Sequence, residues 1–535
     1  MKKFTGILSM IVMLALCFFL AACKGNTSGV ECQMTSNVTT KSIELNFTFA
    51  ANDNITKGLA VPHVKKYAYD EEAENNVGSY LNQDITLSFD GVYTSAKATF
   101  DSLEMNTQYV FRLYVTFNTN EELIDTYIVS TKSGVASEIT NKDELFDIKN
   151  DPSGDYVLKN DIDLEGEAFA SIFSDTTSGR FSGTFDGQGH TISNFKFQSS
   201  NPGLFGYTKD ATIKNLTLDG NASESLVNGD YSASHSSLDM GCVAGNAKTT
   251  LFDNVHVKNA SINFNGNAGA TVNLGGFVGL AENCQFVNCT VSNVTIDYTR
   301  LRNNVCTGLF GGAIFGTVKS KNMDKTFALN NCYADGALSG TLYFPGNEGN
   351  ILVGGFVGDL STSQVVKNCY TVADIKLYKD ETTSNSNKFK LTVGGFAAGK
   401  KNGTTMYITN CAAVADIFVQ AGAKGTDKIE ADLMEIELNP NYTYISGFVG
   451  DVSEFINQIT DCCYVPKTQD IKVVALASKT DPDTGVVTTL IYTDDVIANK
   501  YATAKITNVV NAKKDTFDTS VFAEDVKKVV DEYLA

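Results

Sequence analysis

Five cysteines follow an asparagine or aspartate at regular intervals, and their thiols are the first side chains that could do chemistry. A thiolate binds metals or forms disulfides, whereas a protonated thiol packs as a small apolar group. Metal sites usually pair Cys with His or use Cys-x-x-Cys, and neither accompanies these positions. The pattern therefore predicts a buried structural column without metal, with disulfides as the alternative. The five pairs are Asn288-Cys289, Asn331-Cys332, Asn368-Cys369, Asn410-Cys411 and Asp461-Cys462. Because Cys463 follows Cys462 directly, only one of these two can face inward.

Histidine and acidic side chains form no recognisable catalytic set. The four histidines are His63, His190, His235 and His256. None lies in a His-Glu-x-x-His motif, which excludes that class of zinc hydrolase, and Gly-x-Ser-x-Gly is also absent. Asp161, Asp163, Asp186, Asp359 and Asp451 are all expected in structural turns. The sequence thus predicts no catalytic residue, no cofactor and no metal ligand.

The thiol pairs belong to a longer repeat whose other mark is a Gly-x-Phe/Val-x-Gly element. Its copies begin at Gly203, Gly241, Gly275, Gly311, Gly354, Gly394 and Ser446, at intervals of 38, 34, 36, 43, 40 and 52 residues. Such a period is typical of a solenoid or a propeller. No Trp-Asp signature and no convincing helix occurs within the units. The remaining solution is a parallel β-helix in which each unit forms one coil, stacked about 4.8 Å from the next.

Each part of the repeat has a predicted role in such a coil. Glycine allows a positive φ at the corner where the coil turns, and it leaves room for the neighbouring coil. The Phe and Val between the glycines are expected to point inward and stack on their equivalents. The repeated Asn is expected to bond backbone amides of adjacent coils.

Residues 137–465 resemble the GLUG repeats of bacterial surface proteins. The resemblance rests on "YVLKNDIDL…FSGTFDGQGHTISNF", on "GLFG…IKNLTL" and on the repeated "GGFVG…NC". It is shared with the non-catalytic region of immunoglobulin-A1 peptidases and implies an all-β, right-handed parallel β-helix of the pectin-lyase-like type. We assign residues 134–470 to this domain. Residues 471–535 are expected to add strands and a capping helix with Phe522, Val526, Val529, Val530 and Tyr533 on one face.

Residues 30–133 lack the repeat and read as short alternating strands, as in "TQYVFRLYVTF" at 107–117. The segment "LEMNTQY", Leu103–Tyr109, resembles the corner of fibronectin type III domains, where a Tyr hydroxyl ties a loop to a strand. Met105 stands where that family has Pro, and the chain has no Trp. We therefore expect a small fibronectin type III/Ig-like β-sandwich before the β-helix.

The first 22 residues read as a signal peptide rather than as fold. Lys2 and Lys3 precede an apolar stretch that is short for a membrane span, and "LAAC" ends at Cys23. This arrangement resembles a bacterial lipobox, which implies acylation of Cys23, a lipidated linker at 23–29 and an extracytoplasmic, membrane-anchored protein. The net charge of −19 without a basic run argues against nucleic-acid binding.

Variable segments lie between each Asn-Cys strand and the next glycine element. They cover 227–240, 297–306, 340–350, 377–390 and 420–443, and their equal phase predicts one common edge. The candidate ligand-binding residues on this edge are Tyr298, Arg300, Arg302, Tyr343, Phe344 and Tyr378. We therefore expect a surface adhesin or binding scaffold for an extracellular glycan or protein. The alternative is a polysaccharide-active β-helix enzyme, lyase or glycosidase, which would need several acids in one groove.

Overall fold

The protein consists of two compact units; the first comprises the chain up to Ser137 together with Ser153–Asp155, and the second comprises the rest. The structure is a computed structural model that describes residues 28–534, except 40, 90–93, 105–106, 132–133, 135, 175–178, 221–223, 229–236, 266–270, 302–303, 317–322, 324–325, 343–348, 380–388, 400–405, 422–442, 453–457, 469–470, 475–477, 481–486, 490–496, 501–504 and 514–517. Cys23, Arg302, Tyr343 and Phe344 lie outside the described residues.

The first unit is a sandwich of two four-stranded antiparallel sheets. Its strands are β1 Cys32–Val38, β2 Ile43–Phe49, β3 Ala60–Tyr69, β4 Val77–Thr86, β5 Ser88–Phe89, β6 Ser95–Phe100, β7 Gln108–Phe117 and β8 Asn120–Ser130, and the short helix α1, Asp53–Thr56, precedes β3. One sheet has the order β1-β2-β6-β5 and the other β4-β3-β7-β8. Alternate residues of both sheets, such as Leu45, Phe47, Phe111 and Leu113, fill one common core.

The predicted tyrosine corner is present in the first unit. The Tyr109 hydroxyl accepts a hydrogen bond of 2.9 Å from the backbone amide of Glu104. The Thr131 hydroxyl donates to the carbonyl oxygen of Glu104 at 2.6 Å and accepts from the amide of Thr107 at 2.9 Å. The loop before β7 is therefore tied to the strand by side chains, as the sequence predicted.

The second unit is a parallel β-helix, and its coils have three faces. Face 1 contains the strands before the glycine element: Ser237–Gly241, Thr271–Gly275, Val305–Gly308, Gly349–Gly354, Phe389–Gly394 and Thr443–Ser446. Face 2 contains the strands after it: Phe205–Lys209, Ala244–Lys248, Val278–Glu282, Gly311–Gly316, Val357–Thr362, Ala397–Gly399, Val449–Val452 and Ile497–Lys500. The all-β fold class predicted from the repeat is confirmed.

Face 3 carries the Asn-Cys pairs and pairs in parallel from coil to coil. Its full-length strands are Thr212–Asp219, Leu251–Lys258, Thr290–Leu301, Tyr333–Leu342, Tyr370–Lys379, Ala412–Ala421, Gln458–Pro466 and Lys505–Asn511. Shorter ones are Asp155–Leu158, Ile162–Asp163, Ala168–Phe169, Thr184–Asp186, Thr191–Ser193, Lys196–Ser199, Glu224–Asn228, Ser261–Asn265, Gln285–Val287, Phe327–Asn330, Val365–Lys367, Tyr407–Thr409 and Lys472–Val474. Because Lys472–Val474 and Lys505–Asn511 belong to face 3, the coils continue past residue 470. A separate hairpin pairs Ser478–Thr480 with Val487–Thr489.

One corner of each coil is turned by asparagine, or in one case by aspartate, rather than by the glycine pair. The left-handed residues include Asn215, Asn254, Asn288, Asn331, Asn368, Asn410 and Asp461, with φ between 51° and 55°. The glycines of the "GGF" elements lie outside this region, so the prediction that they supply the positive φ was wrong. Asn tolerates this conformation because its short amide can bond locally.

The asparagines also bond one another rather than the backbone amides that we expected. Asn331 Nδ2 donates to Asn288 Oδ1 at 3.2 Å, and Asn254 Nδ2 donates to Asn215 Oδ1 at 3.0 Å. Asn215 in turn donates to Asp186 Oδ1 at 3.1 Å. Side-chain amides therefore link successive corners along the axis.

The glycines are required because neighbouring coils approach too closely for a side chain. A Cβ on Gly355 would lie 1.9 Å from the carbonyl oxygen of Gly395, and one on Gly395 would lie 2.0 Å from that of Gly447. The second predicted role of glycine, room for the next coil, is thus confirmed.

The side chains between the glycines form a continuous aromatic column. Phe277, Phe310, Phe356, Phe396 and Phe448 are buried and stack with ring centroids 4.9–5.1 Å apart. The five thiols of the Asn-Cys pairs are buried in a parallel column, as predicted. All ten described cysteines are free thiols. Burial raises the pKa of the Cys369 thiol, which keeps it protonated.

The helices lie at different places on the solenoid. In α2, Lys142–Phe146, the Asn141 side chain caps the amide of Glu144 at 3.0 Å, and buried Leu145 joins the core near the first coils. In α3, Glu524–Leu534, Val526 and Val530 pack with Ala412, Val414, Cys463 and Val465. These partners point out of two successive coils, so α3 covers a flank, and its predicted role as an end cap was wrong. Cys462 faces the core while Cys463 lies under α3.

Replacing Gly355 by Ala should lower the unfolding free energy by about 3 kcal/mol, because the new Cβ collides with backbone that cannot move alone. Gly311 is the matched control. Gly311 pairs with Val278 and Val357, and Gly308 pairs with Gly275 and Gly354, so the repeat element of this coil begins at Gly308 and its predicted start at Gly311 was wrong. The added Cβ of Gly311→Ala meets mainly the end of the Ile314 side chain at 3.0 Å. Gly311→Ala should change stability by less than about 1 kcal/mol. Urea unfolding followed by circular dichroism measures both, and equal effects would contradict this role of the glycine.

Candidate functional site

The variable connections leave the solenoid from stacked positions. Leu301 pairs with Leu342, Leu342 with Lys379, and Lys379 with Ala421. The chain returns at positions that are also in register, since Val305 pairs with Ile351, Ile351 with Leu391, and Leu391 with Thr443. The described flanks of four connections therefore lie along one edge of the β-helix, which we call the loop edge.

Tyr298 is not a surface residue of the loop edge, so its predicted ligand contact was wrong. Its side chain is 0% exposed and stacks in register between Phe264 and Gly340. A Cβ on Gly340 would lie 2.2 Å from the Tyr298 ring, so this ring fills the space that the glycine leaves. Burial raises the pKa of the Tyr298 hydroxyl, which has no hydrogen-bond partner among the described residues.

The other predicted contacts are placed only in part. Tyr378 is half-buried near the end of its strand, with its ring centroid 6.0 Å from that of Phe418 in the next coil. Arg300 lies in the strand Thr290–Leu301, and the structure describes its backbone only. Tyr378 thus remains a candidate contact at the loop edge.

Polar and charged side chains meet where face 1 and face 2 adjoin, and only Asp359 and Asp451 among them were named from the sequence, as turn residues. We call this stripe the crease; it includes Asp239, Asn273, Cys306, Leu352, Thr392 and Tyr444 of face 1 and Asn246, Leu280, Ala313, Asp359, Gly399 and Asp451 of face 2. Cys306, Ala313, Leu352 and Ala398 form a small apolar cluster separate from the main core. At this cluster the strands of the two faces are thus buried on both sides.

Asp239 has the most unusual environment in the crease. It is fully buried and accepts hydrogen bonds of 2.7 Å from Asn273 Nδ2 and from Asn246 Nδ2. Its own backbone amide donates to Asn201 Oδ1 at 2.7 Å. Loss of hydration raises the pKa of the Asp239 carboxyl to about 6, although the amide donors oppose this.

Asp359 and Asp451 lie in strands of face 2 rather than in the turns that we expected. Both are buried and occupy one column, with Gly399 between them, so their backbones are about 10 Å apart at the usual coil spacing. Ser361 Oγ donates to Asp359 Oδ1 at 2.6 Å. Lys390 Nζ forms an ion pair with Asp451 Oδ2 and lies 5.0 Å from the ring centroid of Tyr444.

The aspartates of the first coils accept hydrogen bonds that stabilise the turns, as predicted. Asp163 Oδ1 accepts from Asn194 Nδ2 and from the backbone amide of Glu165, both at 2.7 Å. These two bonds hold the pKa of Asp163 below its usual range. Asp161 accepts from the amide of Thr191 at 2.9 Å.

The crease could have been suspected from the sequence. Asp239 and Asn273 both stand two residues before a repeat glycine, in "DMG" and "NLG". A polar residue at the same phase of successive coils predicts a polar column. Its bonding to Asn201 and Asn246 depends on the angle between two faces, which the repeat does not encode.

The described residues contain no group of three His, Cys, Asp or Glu side chains arranged to hold a metal ion. No helix among them combines the length and apolar character that a bilayer crossing requires.

Comparisons with known proteins add little. No protein-family model and no curated protein matches the chain. Among solved structures, it is similar to a family 28 exopolygalacturonase from Yersinia enterocolitica, at 11% sequence identity over 90% of this chain and 98% of that chain. The TM-score of 0.17 is too low for this similarity to carry an argument. The fold rests on the strand pairing described above.

Replacing Tyr298 by Phe should raise the unfolding free energy by about 1 kcal/mol, because it removes a buried hydroxyl without a partner. Gly340→Ala should lower it by about 2 kcal/mol, because the added Cβ overlaps the Tyr298 ring. Combining Gly340→Ala with Tyr298→Ala should cost less than the two separate changes together. Strict additivity in thermal unfolding would show that the two positions are not in contact.

Replacing Asp239 by Asn should change how stability depends on pH. A carboxyl with a folded pKa of about 6 and an unfolded pKa of about 3.9 contributes stability that is complete below pH 4 and is lost as pH rises through 6. Wild type should therefore lose about 2–3 kcal/mol relative to Asp239→Asn between pH 4 and pH 7. Urea unfolding at both pH values measures the difference. A constant difference would mean that Asp239 titrates normally.

Proposed function

We propose that the protein is a lipid-anchored protein of the bacterial cell surface, whose β-helix is a scaffold that presents binding loops to an extracellular glycan or protein. The signal-like first 22 residues and "LAAC" before Cys23 support the anchor. The proposed binding role rests on a contrast: the strands of successive coils keep the same register, while the connections between them vary in length.

The connections at the loop edge differ in length while the strands that they join stay in register. Three residues (302–304) join the first pair of strands, six (343–348) the second, nine (380–388) the third and 21 (422–442) the fourth. The core needs no more than the shortest of these connections. Additional length at one phase of a solenoid supports a surface built for a partner.

The side chains available near this edge suit tight recognition. Arg302, Tyr343 and Phe344 belong to the first two connections, and Arg300 and Tyr378 to the adjoining strands. Tyr and Arg are over-represented among residues that dominate binding energy. No basic run accompanies them, so we propose no nucleic-acid partner.

The rival proposal is a polysaccharide-active enzyme that uses the crease. The relevant observation is that Asp359 and Asp451 share one column two coils apart. Release of reducing sugar ends from a polysaccharide, abolished by Asp451→Asn, would favour this rival. Retention of an unchanged polysaccharide favours the scaffold.

Replacing Arg302, Tyr343 and Phe344 together by Ala should weaken binding to any ligand found for residues 24–535 on glycan and mucin arrays. We expect at least a tenfold loss of affinity, because truncating a dominant contact costs about 2 kcal/mol or more. Surface plasmon resonance measures the change.

Tyr298→Phe is the matched control, since that side chain lies beneath the same edge. It should leave affinity unchanged. A ligand that the triple variant holds as tightly as wild type would show that the loop edge is not the binding surface.

A further inference from the structure

The described part of the chain exposes few large hydrophobic side chains, and all of them lie in the sandwich. They are Leu59, Val61, Tyr80, Leu123 and Ile128, with exposed fractions between 41% and 54%. The core strands elsewhere bury such side chains almost completely. Exposed hydrophobic side chains that are concentrated on one small unit can mark an interaction surface.

Three of these residues lie at one end of the sheet β4-β3-β7-β8. Val61 pairs with Thr116, and Thr116 pairs with Glu121, two residues before Leu123. Leu59 directly precedes β3 and donates its amide to the carbonyl oxygen of Asn54 at 2.8 Å. We call Leu59, Val61 and Leu123 the aliphatic end.

The chain enters the sandwich at this same end. The amide of Ser28 donates to Glu122 Oε2 at 3.1 Å, and Glu122 is the neighbour of Leu123. Asn54 Nδ2 donates to the carbonyl oxygen of Ser28 at 3.1 Å, and Asn54 also holds the amide of Leu59. Ser28 is therefore bonded to β8, which carries Leu123, and to α1, which shortly precedes Leu59.

The tether from a lipidated Cys23 to Ser28 is very short. It spans five residues, which reach at most about 18 Å when fully extended. With acyl chains embedded in a bilayer, Ser28 and the side chains around it are confined close to the lipid headgroups. A short tether gives any weak apolar contact with that surface a high effective concentration.

We propose that the aliphatic end rests on the lipid bilayer and fixes the orientation of the sandwich relative to the membrane. This inference rests on the proposed anchor at Cys23. A bilayer is the occupant favoured by the position of the chain entry, since Ser28, where the tether begins, is hydrogen-bonded to Glu122 beside Leu123 and to Asn54, whose carbonyl holds the amide of Leu59. Lys57, four residues before Val61, forms an exposed ion pair with Asp53 at 3.0 Å, so the proposed membrane contact rests on the apolar side chains.

The absence of Trp from the chain allows a direct test. Leu123→Trp places the only tryptophan of the variant in the aliphatic end, and it can be excited selectively over the tyrosines. Ile128→Trp is a matched control, because both residues lie on β8 and are 46% exposed. The two positions are about 16 Å apart along the strand. Full-length protein carrying each change is acyl-labelled in cells and reconstituted into vesicles with and without brominated lipids.

We expect the Leu123→Trp emission to shift to shorter wavelength and to lose at least half of its intensity with brominated lipids, whereas Ile128→Trp changes little. Leu59→Trp, on a different element, should behave like Leu123→Trp. Acylated protein in which position 123 is quenched no more than position 128 overturns the inference but leaves the anchor intact. A blue shift at position 123 without quenching indicates contact with protein and also overturns it. If the Leu123→Trp protein takes up no more acyl label than the same protein with Cys23→Ser added, that result overturns the anchor and the inference together.

Discussion

The second unit depends on one constraint: each coil is hydrogen-bonded in register to the coil before it. A residue's neighbours above and below are therefore its own equivalents, only one coil spacing away. A side chain is accepted only if it can pack against the side chains at the same position in the adjacent coils. Phenylalanine satisfies this by parallel ring stacking, as at Phe310 and Phe356, and cysteine by its small apolar volume.

Where the coil must turn or approach its neighbour, the same constraint selects asparagine and glycine for different reasons. Asn288 and Asn331 adopt the left-handed conformation and bond each other across the coil spacing. Gly355 adopts an ordinary conformation but has no room for a Cβ. The two residue types are thus not interchangeable in the repeat.

This distinction marks the limit of what the sequence could predict. The period, the inward columns and the β-helix follow from spacing and residue type alone. Asn and Gly both tolerate a positive φ, so spacing cannot decide which one turns the corner. Tyr298 looked like a loop residue because its burial depends on Gly340 in the next coil, 42 positions later, and the pairing register alone brings the two together. The crease depends likewise on how two faces meet.

The proposed function rests on the difference between positions that coil stacking restricts and positions that it does not restrict. Residues in the columns are fixed by their equivalents, while the connections at the loop edge are limited only by where they begin and end. In the sandwich, exposed aliphatic side chains lie beside the point at which the chain enters. Both proposed interaction surfaces, the loop edge and the aliphatic end, therefore lie outside the packed cores, where packing does not restrict the choice of residue.

The central claim is that asparagine turns each coil, and two substitutions of Asn331 test it most directly. Asn331→Gly keeps the left-handed conformation and loses one side-chain hydrogen bond, so it should cost about 1 kcal/mol in urea unfolding. Asn331→Ala loses the same bond and must also force a Cβ into that conformation, which should add about 1–2 kcal/mol. Equal costs for Gly and Ala would contradict the account, because they would mean that the left-handed corner at Asn331 imposes no requirement on the chain.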